Sequence, residues 1–112
     1  TLDLAVDLAT LGWNGYAAMP LPGSQLYKDA LEAGYKLPKE YEGFSFHSYT
    51  TTPIPTDNLT SKEILKFRDD AYTTYHTSEK FLNKVKKKYG QGAVDNILKN
   101  TKIKLKRKLL GD

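Results

Sequence analysis

The chain has 112 residues, with 17 Lys and Arg against 13 Asp and Glu, and a formal net charge of +4. This length suits one domain with a modest core, and the composition excludes collagen-like, coiled-coil and disordered classes. There is no cysteine, so this chain alone cannot form disulfides, thiolate zinc sites or iron–sulfur ligands. No apolar run approaches the roughly 18 residues that span a bilayer, and we expect a cytoplasmic protein.

The charge is unevenly distributed along the sequence. Residues 1–79 carry 6 basic and 11 acidic side chains, whereas residues 80–112 carry 11 basic and 2 acidic ones. An asymmetry of this kind indicates contact with an anionic partner, or a tail that docks on an acidic protein surface.

The first predicted element is a helix over residues 2–11, which Gly12 would end. A helix that is apolar over most of its circumference is normally covered on several sides. No cap precedes this stretch, so we expect the chain to be a piece of a longer protein. The apolar positions are Leu4, Leu8 and Leu11 on one stripe, widened by Leu2, Ala5, Val6 and Ala9.

A short strand and a second helix follow. Gly15–Met19 has the composition of a buried strand, which must end at the Pro-Leu-Pro-Gly turn after it. Ser24 is a suitable N-cap for a helix over residues 25–33, and Gly34 is the expected left-handed terminator. These elements form one helix–strand–helix step of an α/β fold, in which a lone strand needs neighbours.

Residues 35–58 are expected to be ordered coil, rich in proline and aromatic residues. The alternation across Phe44–Tyr49 is strand-like, and it equally fits an extended segment that packs its rings on a neighbour. Loops of this length in compact domains tend to be functional or held against another surface.

Three helices are predicted after this loop. Thr60 and Glu63 have the spacing of a capping box, which opens a helix over residues 61–76. The remaining predicted elements are a helix over 79–89, with Ser78 as N-cap and Gly90 as terminator, and a helix over 92–110, although Ile103–Lys106 alternates at period two.

The residues alone indicate no catalytic group and no metal site. His47 and His76 lie in different segments, and neither has a spaced His or carboxylate partner. A hydrogen-bonded or surface histidine is the simpler interpretation of each. Asp69 and Asp70 are neighbours on a helix, so their side chains diverge by about 100° and do not converge on one substrate atom.

The lysine-rich stretches are the strongest electrostatic signal. Lys84, Lys86–Lys88 and the basic residues of 102–108 could bind phosphates in a salt-dependent manner. Lysines greatly outnumber arginines, and no stacking aromatic is interleaved after Tyr89. A solvated helix face is therefore favoured over nucleic acid, and a self-contained helical module that binds nucleic acid or another polyanion is the alternative function.

Several short motifs, in their order and spacing, resemble a known enzyme family. Met19–Tyr27 (MPLPGSQLY) resembles the PGT/S-x-LY turn after the last barrel strand of radical S-adenosylmethionine enzymes, in the subgroup with an N-terminal cobalamin-binding domain. Ser45–Tyr49 (SFHSY), Pro53–Thr56 (PIPT) and Lys66–Tyr72 (KFRDDAY) resemble their C-terminal extension, where HSY and PLPT segments precede an FRD-x-A-F helix. Lys106–Leu110 (KRKLL) fits the same pattern, so the resemblance covers nearly the whole chain.

The resemblance implies a mainly α chain with a helix–short strand–helix remnant of a partial (β/α) barrel, followed by a long ordered loop and a C-terminal helical extension. Residues 1–34 would be the last βα element of the barrel, residues 35–59 an irregular connection, and residues 60–112 the basic helical extension. The full-length family implies a [4Fe–4S] cluster held by an upstream CxxxCxxC motif and S-adenosylmethionine, with cobalamin as a further candidate. This chain itself would hold no cofactor.

The resemblance also implies a location for the site and a set of partners. His47 and Tyr49 would line the opening of the barrel, and no catalytic role is implied for either. The expected partner is the missing N-terminal part of the same iron–sulfur oxidoreductase or methyltransferase, without which this segment would be inactive. Alone, it would expose apolar surface around residues 2–19 and could self-associate there. The cofactor-binding positions implied by the family are Tyr16, Ala17, Ala18, Met19 and Pro20.

Overall fold

The computed structural model describes residues 1–112 and shows an all-α chain without strands. The prediction of a mainly α chain is confirmed. No helix combines the length and apolar character that crossing a membrane requires. The helices are α1 (Leu2–Leu8), α2 (Gln25–Glu32), α3 (Ser61–His76), α4 (Glu79–Tyr89) and α5 (Gln91–Thr101), with 3-10 turns at Tyr41–Phe44 and Lys108–Leu110.

The predicted strand at Gly15–Met19 is wrong, because this segment is coil. The chain holds no second strand to pair with it, and Pro20 and Pro22 remove two backbone donors from any ladder beyond its end. Residues 16–18 make no backbone–backbone hydrogen bond. The expected helix–strand–helix remnant is therefore helix, coil and helix in this chain.

Helix α1 is shorter than predicted and is covered on one side only. Ala9 takes a left-handed conformation with φ 45°, and its N–H donates to the carbonyl of Ala5, so the helix ends before Gly12. Of the apolar set, Leu2, Ala5, Val6 and Ala9 pack in the core, whereas Leu4, Leu8 and Leu11 are exposed.

The predicted helix over residues 92–110 is also too long. Helix α5 ends at Thr101, and residues 103–107 are non-helical before the short 3-10 turn. Arg107 is fully buried within this segment. A long-range contact of that side chain overrides the helical propensity of the lysine-rich sequence.

The predicted helix ends at the other elements are confirmed. Ser24 Oγ accepts from the Tyr27 N–H at 3.1 Å. Thr60 Oγ1 accepts from the Glu63 N–H at 3.2 Å, and the Glu63 carboxylate accepts from the Thr60 N–H at 2.8 Å. Ser78 precedes α4 as expected, but its hydroxyl donates to the Tyr75 carbonyl and not to the helix it begins. The glycines Gly34 and Gly90 both have positive φ at the predicted helix ends.

The chain divides into two compact units, of which the first comprises residues 1–15 and 69–104. It contains α1, the second half of α3, α4 and α5. Tyr75 is completely buried at its centre, with ring centroids 5.8 Å from Trp13 and 5.1 Å from Phe81. The buried core consists of Ala9, Tyr75, Phe81, Val85 and Val94.

The second unit comprises residues 16–68 and 105–112. It contains α2, the long loop, the first half of α3 and the segment 105–112, which we call the C-terminal tail. Gly43 is required in the loop, because a Cβ there would lie 2.3 Å from the Pro38 Cβ. The fully or nearly fully buried side chains of this unit include Pro20, Ala30, Phe44, Thr51, Pro53, Leu65 and Arg107.

A pair of glycine substitutions tests the junction between α4 and α5. Gly90 has φ 88° and ψ 178°, a conformation that L-residues almost never adopt, whereas Gly92 lies inside α5 with open space around its Cβ position. Gly90→Ala should lower the free energy of unfolding by about 1–3 kcal/mol. Gly92→Ala should raise it by up to about 1 kcal/mol, measured by urea denaturation. Equal effects of the two substitutions would contradict this description of the junction.

The capping box predicts a pH dependence. Hydrogen bonds from the Thr60 backbone N–H, and then from its hydroxyl, lower the pKa of Glu63 below its ordinary value. Because the pKa is lower in the folded state, the stabilisation is complete above the ordinary carboxyl pKa and is lost as pH falls through the lowered one. The stability advantage over Glu63→Gln should therefore shrink in acid, measured by denaturation from neutral to acid pH. An advantage that is independent of pH would show that the carboxylate charge contributes nothing.

Candidate functional site

The residues that the resemblance places at the cofactor all lie in the second unit. Tyr16 is 58% exposed, and its ring centroid lies 4.9 Å from that of Phe46 in the long loop. Met19 and Pro20 are buried, Ala17 is half-buried and Ala18 is exposed. The segment 16–20 and the loop segment beside His47 are thus brought together through one aromatic contact.

The two residues expected at the barrel opening have different surroundings. His47 is exposed. Tyr49 is 44% exposed, but its hydroxyl donates to the carbonyl of Asp112 at 2.7 Å, and its own carbonyl accepts from the Lys108 N–H at 2.9 Å. The C-terminal tail therefore binds both the hydroxyl and the backbone carbonyl of Tyr49.

Arg107 binds the loop from the C-terminal tail through its side chain. Its side chain is fully buried, and its Nη1 donates to the Ser48 carbonyl at 2.9 Å. Its backbone N–H donates to Asp112 Oδ2 at 2.8 Å. This bond brings Asp112 back to Arg107, across the 3-10 turn at Lys108–Leu110. We call the contact of Ser48 and Tyr49 with residues 107–112 the loop–tail contact.

The loop side of this contact is ordered by its own hydrogen bonds. Ser48 Oγ donates to the Glu42 carbonyl at 2.6 Å, and Thr50 Oγ1 donates to the Glu42 carboxylate at 3.0 Å. The Thr52 N–H donates to the Gly43 carbonyl at 3.1 Å. Thr51, two residues beyond Tyr49 in the loop, is buried and its hydroxyl has no hydrogen-bond partner, so the loop carries one unsatisfied polar group.

Sequence reasoning missed Arg107 because it grouped this residue with the lysines of a solvated basic segment. The guanidinium has a planar set of donors and is more weakly hydrated than an ammonium, so an arginine is better suited to burial against carbonyl oxygens. The signals in the sequence were a single arginine among the lysines of this segment, next to the period-two alternation of Ile103–Lys106, and its place in the KRKLL motif.

Two lysines of the basic part of the chain, residues 80–112, bind the C-terminal end of α1 in the first unit. The Lys80 ammonium contacts the Asp7 carbonyl and lies 3.3 Å from the Asp7 carboxylate. The Lys84 ammonium donates to the Leu8 carbonyl at 2.9 Å. The last carbonyls of a helix have no partner within the helix, and cations nearby are favourable. The two lysines therefore satisfy the carbonyls of Asp7 and Leu8, which are left without helical partners because α1 ends at Ala9.

The donor groups of this chain do not fit the iron–sulfur cluster that the resemblance implies. Such clusters are held by cysteine thiolates, and the chain has none. No group of three or more His, Asp or Glu side chains is placed to hold a metal ion. His76 has a structural position, with Nδ1 2.8 Å from the Tyr72 carbonyl and its ring against Tyr75 and Phe81.

Comparison of the chain with protein-family models, with curated proteins and with solved structures finds no match in any of the three.

Substitution of Arg107 tests the loop–tail contact. Arg107→Met should lower the free energy of unfolding by about 1.5–3 kcal/mol, because a buried charge-assisted hydrogen bond to Ser48 is lost. Lys106→Met removes one positive charge from the exposed neighbouring residue and should change stability by less than about 0.5 kcal/mol. Urea denaturation measures both variants, and equal destabilisation would show that the contact contributes no more than net charge does.

Proposed function

We propose that this chain is the C-terminal segment of a radical S-adenosylmethionine enzyme, an iron–sulfur oxidoreductase or methyltransferase of the cobalamin-binding-domain subgroup. In this role it supports or covers the active-site barrel and is not active alone. The observation that carries the proposal is the loop–tail contact. It joins Ser45–Tyr49 with Lys106–Leu110, two segments that each resemble the family's C-terminal extension.

This contact supports the proposal because the two motifs are distant in sequence. The Arg107 side chain and the Ser48 carbonyl belong to residues 59 positions apart. Motifs that depend on one another for folding are expected to occur together and in a fixed order. The contact therefore gives a physical reason for the order of motifs on which the resemblance rests.

The turn after Pro20 supplies a second line of support. The Ser24 hydroxyl donates to the Leu21 carbonyl at 2.7 Å and accepts from the Tyr27 N–H, so one residue fixes both the turn and the start of α2. The segment that enters this turn makes no backbone–backbone hydrogen bond at residues 16–18. In the complete enzyme these backbone groups would pair with the preceding barrel strand.

The chemistry of the segment limits the role we propose for it. Residues 16–20 carry no ionisable group other than the Tyr16 phenol, so they would contact a cofactor through packing and backbone groups. His47 and Tyr49 would line the opening above them. The cluster, and the cleavage of S-adenosylmethionine that it supplies, would be held by residues outside this chain.

The complete protein tests this proposal. The reading frame that contains this chain should encode a CxxxCxxC motif upstream of it. The anaerobically purified full-length product should contain iron and sulfide in equal amounts and form 5′-deoxyadenosine from S-adenosylmethionine with a reductant. Arg107→Met should reduce this activity more than Lys106→Met, since of these two side chains only that of Arg107 binds the loop.

Two outcomes would overturn the proposal. One is a complete reading frame without the cysteine motif. The other is a self-contained chain that shifts nucleic acid in gel electrophoresis, with binding lost at raised salt and on neutralising Lys86–Lys88. The second result would identify the alternative, a helical polyanion-binding module, for which the exposed Lys86–Lys88 at the end of α4 provide the charge.

A further inference from the structure

A small open pocket lies within the first unit, between the end of α1 and one face of α4. Its volume is about 160 Å³. Ala9, Phe81 and Val85 form a floor of buried apolar side chains. Leu11 and Tyr89 line it further and are both more than half exposed. The pocket is therefore apolar at its base and open to water at its rim.

The charge at the rim has one sign. Lys84 and Lys88 both line the pocket, and their spacing of four residues places them on the same face of α4. No acidic residue lines it. The Lys84 ammonium has one hydrogen bond, to the Leu8 carbonyl, and an ammonium has three donors. The Lys88 ammonium stands 5.4 Å from the centroid of the Tyr89 ring and makes no ion pair.

We propose that this pocket binds a small organic anion, namely a carboxylate that carries one aromatic ring or a short alkyl chain. The floor excludes a fully polar ligand, because nothing on Ala9, Phe81 or Val85 can replace its lost hydration. An enclosed apolar cavity of about 150 Å³ holds one benzene ring, so a single ring is the largest apolar group that this open pocket of about 160 Å³ can cover. The rim lysines supply donors for the carboxylate, and these charge-assisted bonds select an anion over a neutral analogue.

The position of the pocket makes it accessible in the chain by itself. All of its lining residues belong to the first unit, whereas the residues proposed to contact the radical cofactor belong to the second. Binding here can therefore be measured without a cluster, and its presence or absence does not depend on the enzyme proposed above.

A titration of the 112-residue chain with sodium benzoate, followed by nuclear magnetic resonance, tests the site. Shifts should saturate with a dissociation constant on the order of 1 mM and be confined to residues 9–11 and 81–89. Benzyl alcohol has the same ring without the charge and should bind more weakly. Acetate has the charge without the ring and should cause no saturable shift.

Adjacent lysines provide a matched control. Lys87 and Lys88 are both exposed in the last turn of α4, but only Lys88 lines the pocket. Lys88→Gln should weaken benzoate binding by about threefold to fivefold, and Lys87→Gln should leave it unchanged. Lys84 is not substituted, because its ammonium also binds the end of α1.

Three results would overturn the proposal. The first is an absence of saturable shifts with benzoate. The second is equal weakening by Lys87→Gln and Lys88→Gln, which would show a general response to net charge. The third is acetate binding as tightly as benzoate, which would show that the apolar floor plays no part.

Discussion

The buried side chain of Tyr75 is the contact on which the first unit depends. Its hydroxyl donates to the Thr10 carbonyl and lies 3.2 Å from the Thr10 hydroxyl, so the coil after α1 is tied to the end of α3. A tyrosine is favourable in a core only where its hydroxyl has a partner, and this one finds it on the backbone. These hydrogen bonds place Ala9 in the core and Trp13 against the Tyr75 ring. They also position Leu11, which lines the pocket beside α4.

Arg107 is a fully buried polar side chain in the second unit, as Tyr75 is in the first. Burying its charged guanidinium costs more free energy than burying a phenol hydroxyl. A buried guanidinium must have its donors satisfied, and the Ser48 carbonyl accepts one of them. The Asp112 carboxylate accepts from the backbone N–H of the same residue and its carbonyl accepts from Tyr49, so the last residue holds both sides of the loop–tail contact. The proposed function depends on this contact, because it joins the motifs Ser45–Tyr49 and Lys106–Leu110, which lie far apart in the sequence.

Sequence-based predictions were correct where neighbouring residues determine the structure, and wrong where a contact with a residue far along the chain determines it. The capping box of Glu63 and the terminator Gly90 act within one helical turn, so their ends were correct. The strand at Gly15–Met19 needs a partner strand that this chain lacks, and the predicted C-terminal helix gives way to the contact of Arg107. Of the candidate site, the positions at residues 16–20 came from the resemblance. The lysines Lys84 and Lys88 stood out in the sequence as basic residues, but the apolar pocket beside them depends on the packing of α4 against α1 and could not be predicted.

Hydrogen exchange at the backbone amides of residues 16–18 tests most directly whether this chain is part of a larger barrel. We expect these amides to exchange rapidly in the chain alone, because residues 16–18 make no backbone–backbone hydrogen bond, and to become protected in the complete protein, where a neighbouring strand would pair with them. Protection that is already full in the isolated chain, or exchange that stays equally rapid in the complete protein, would contradict the proposed role.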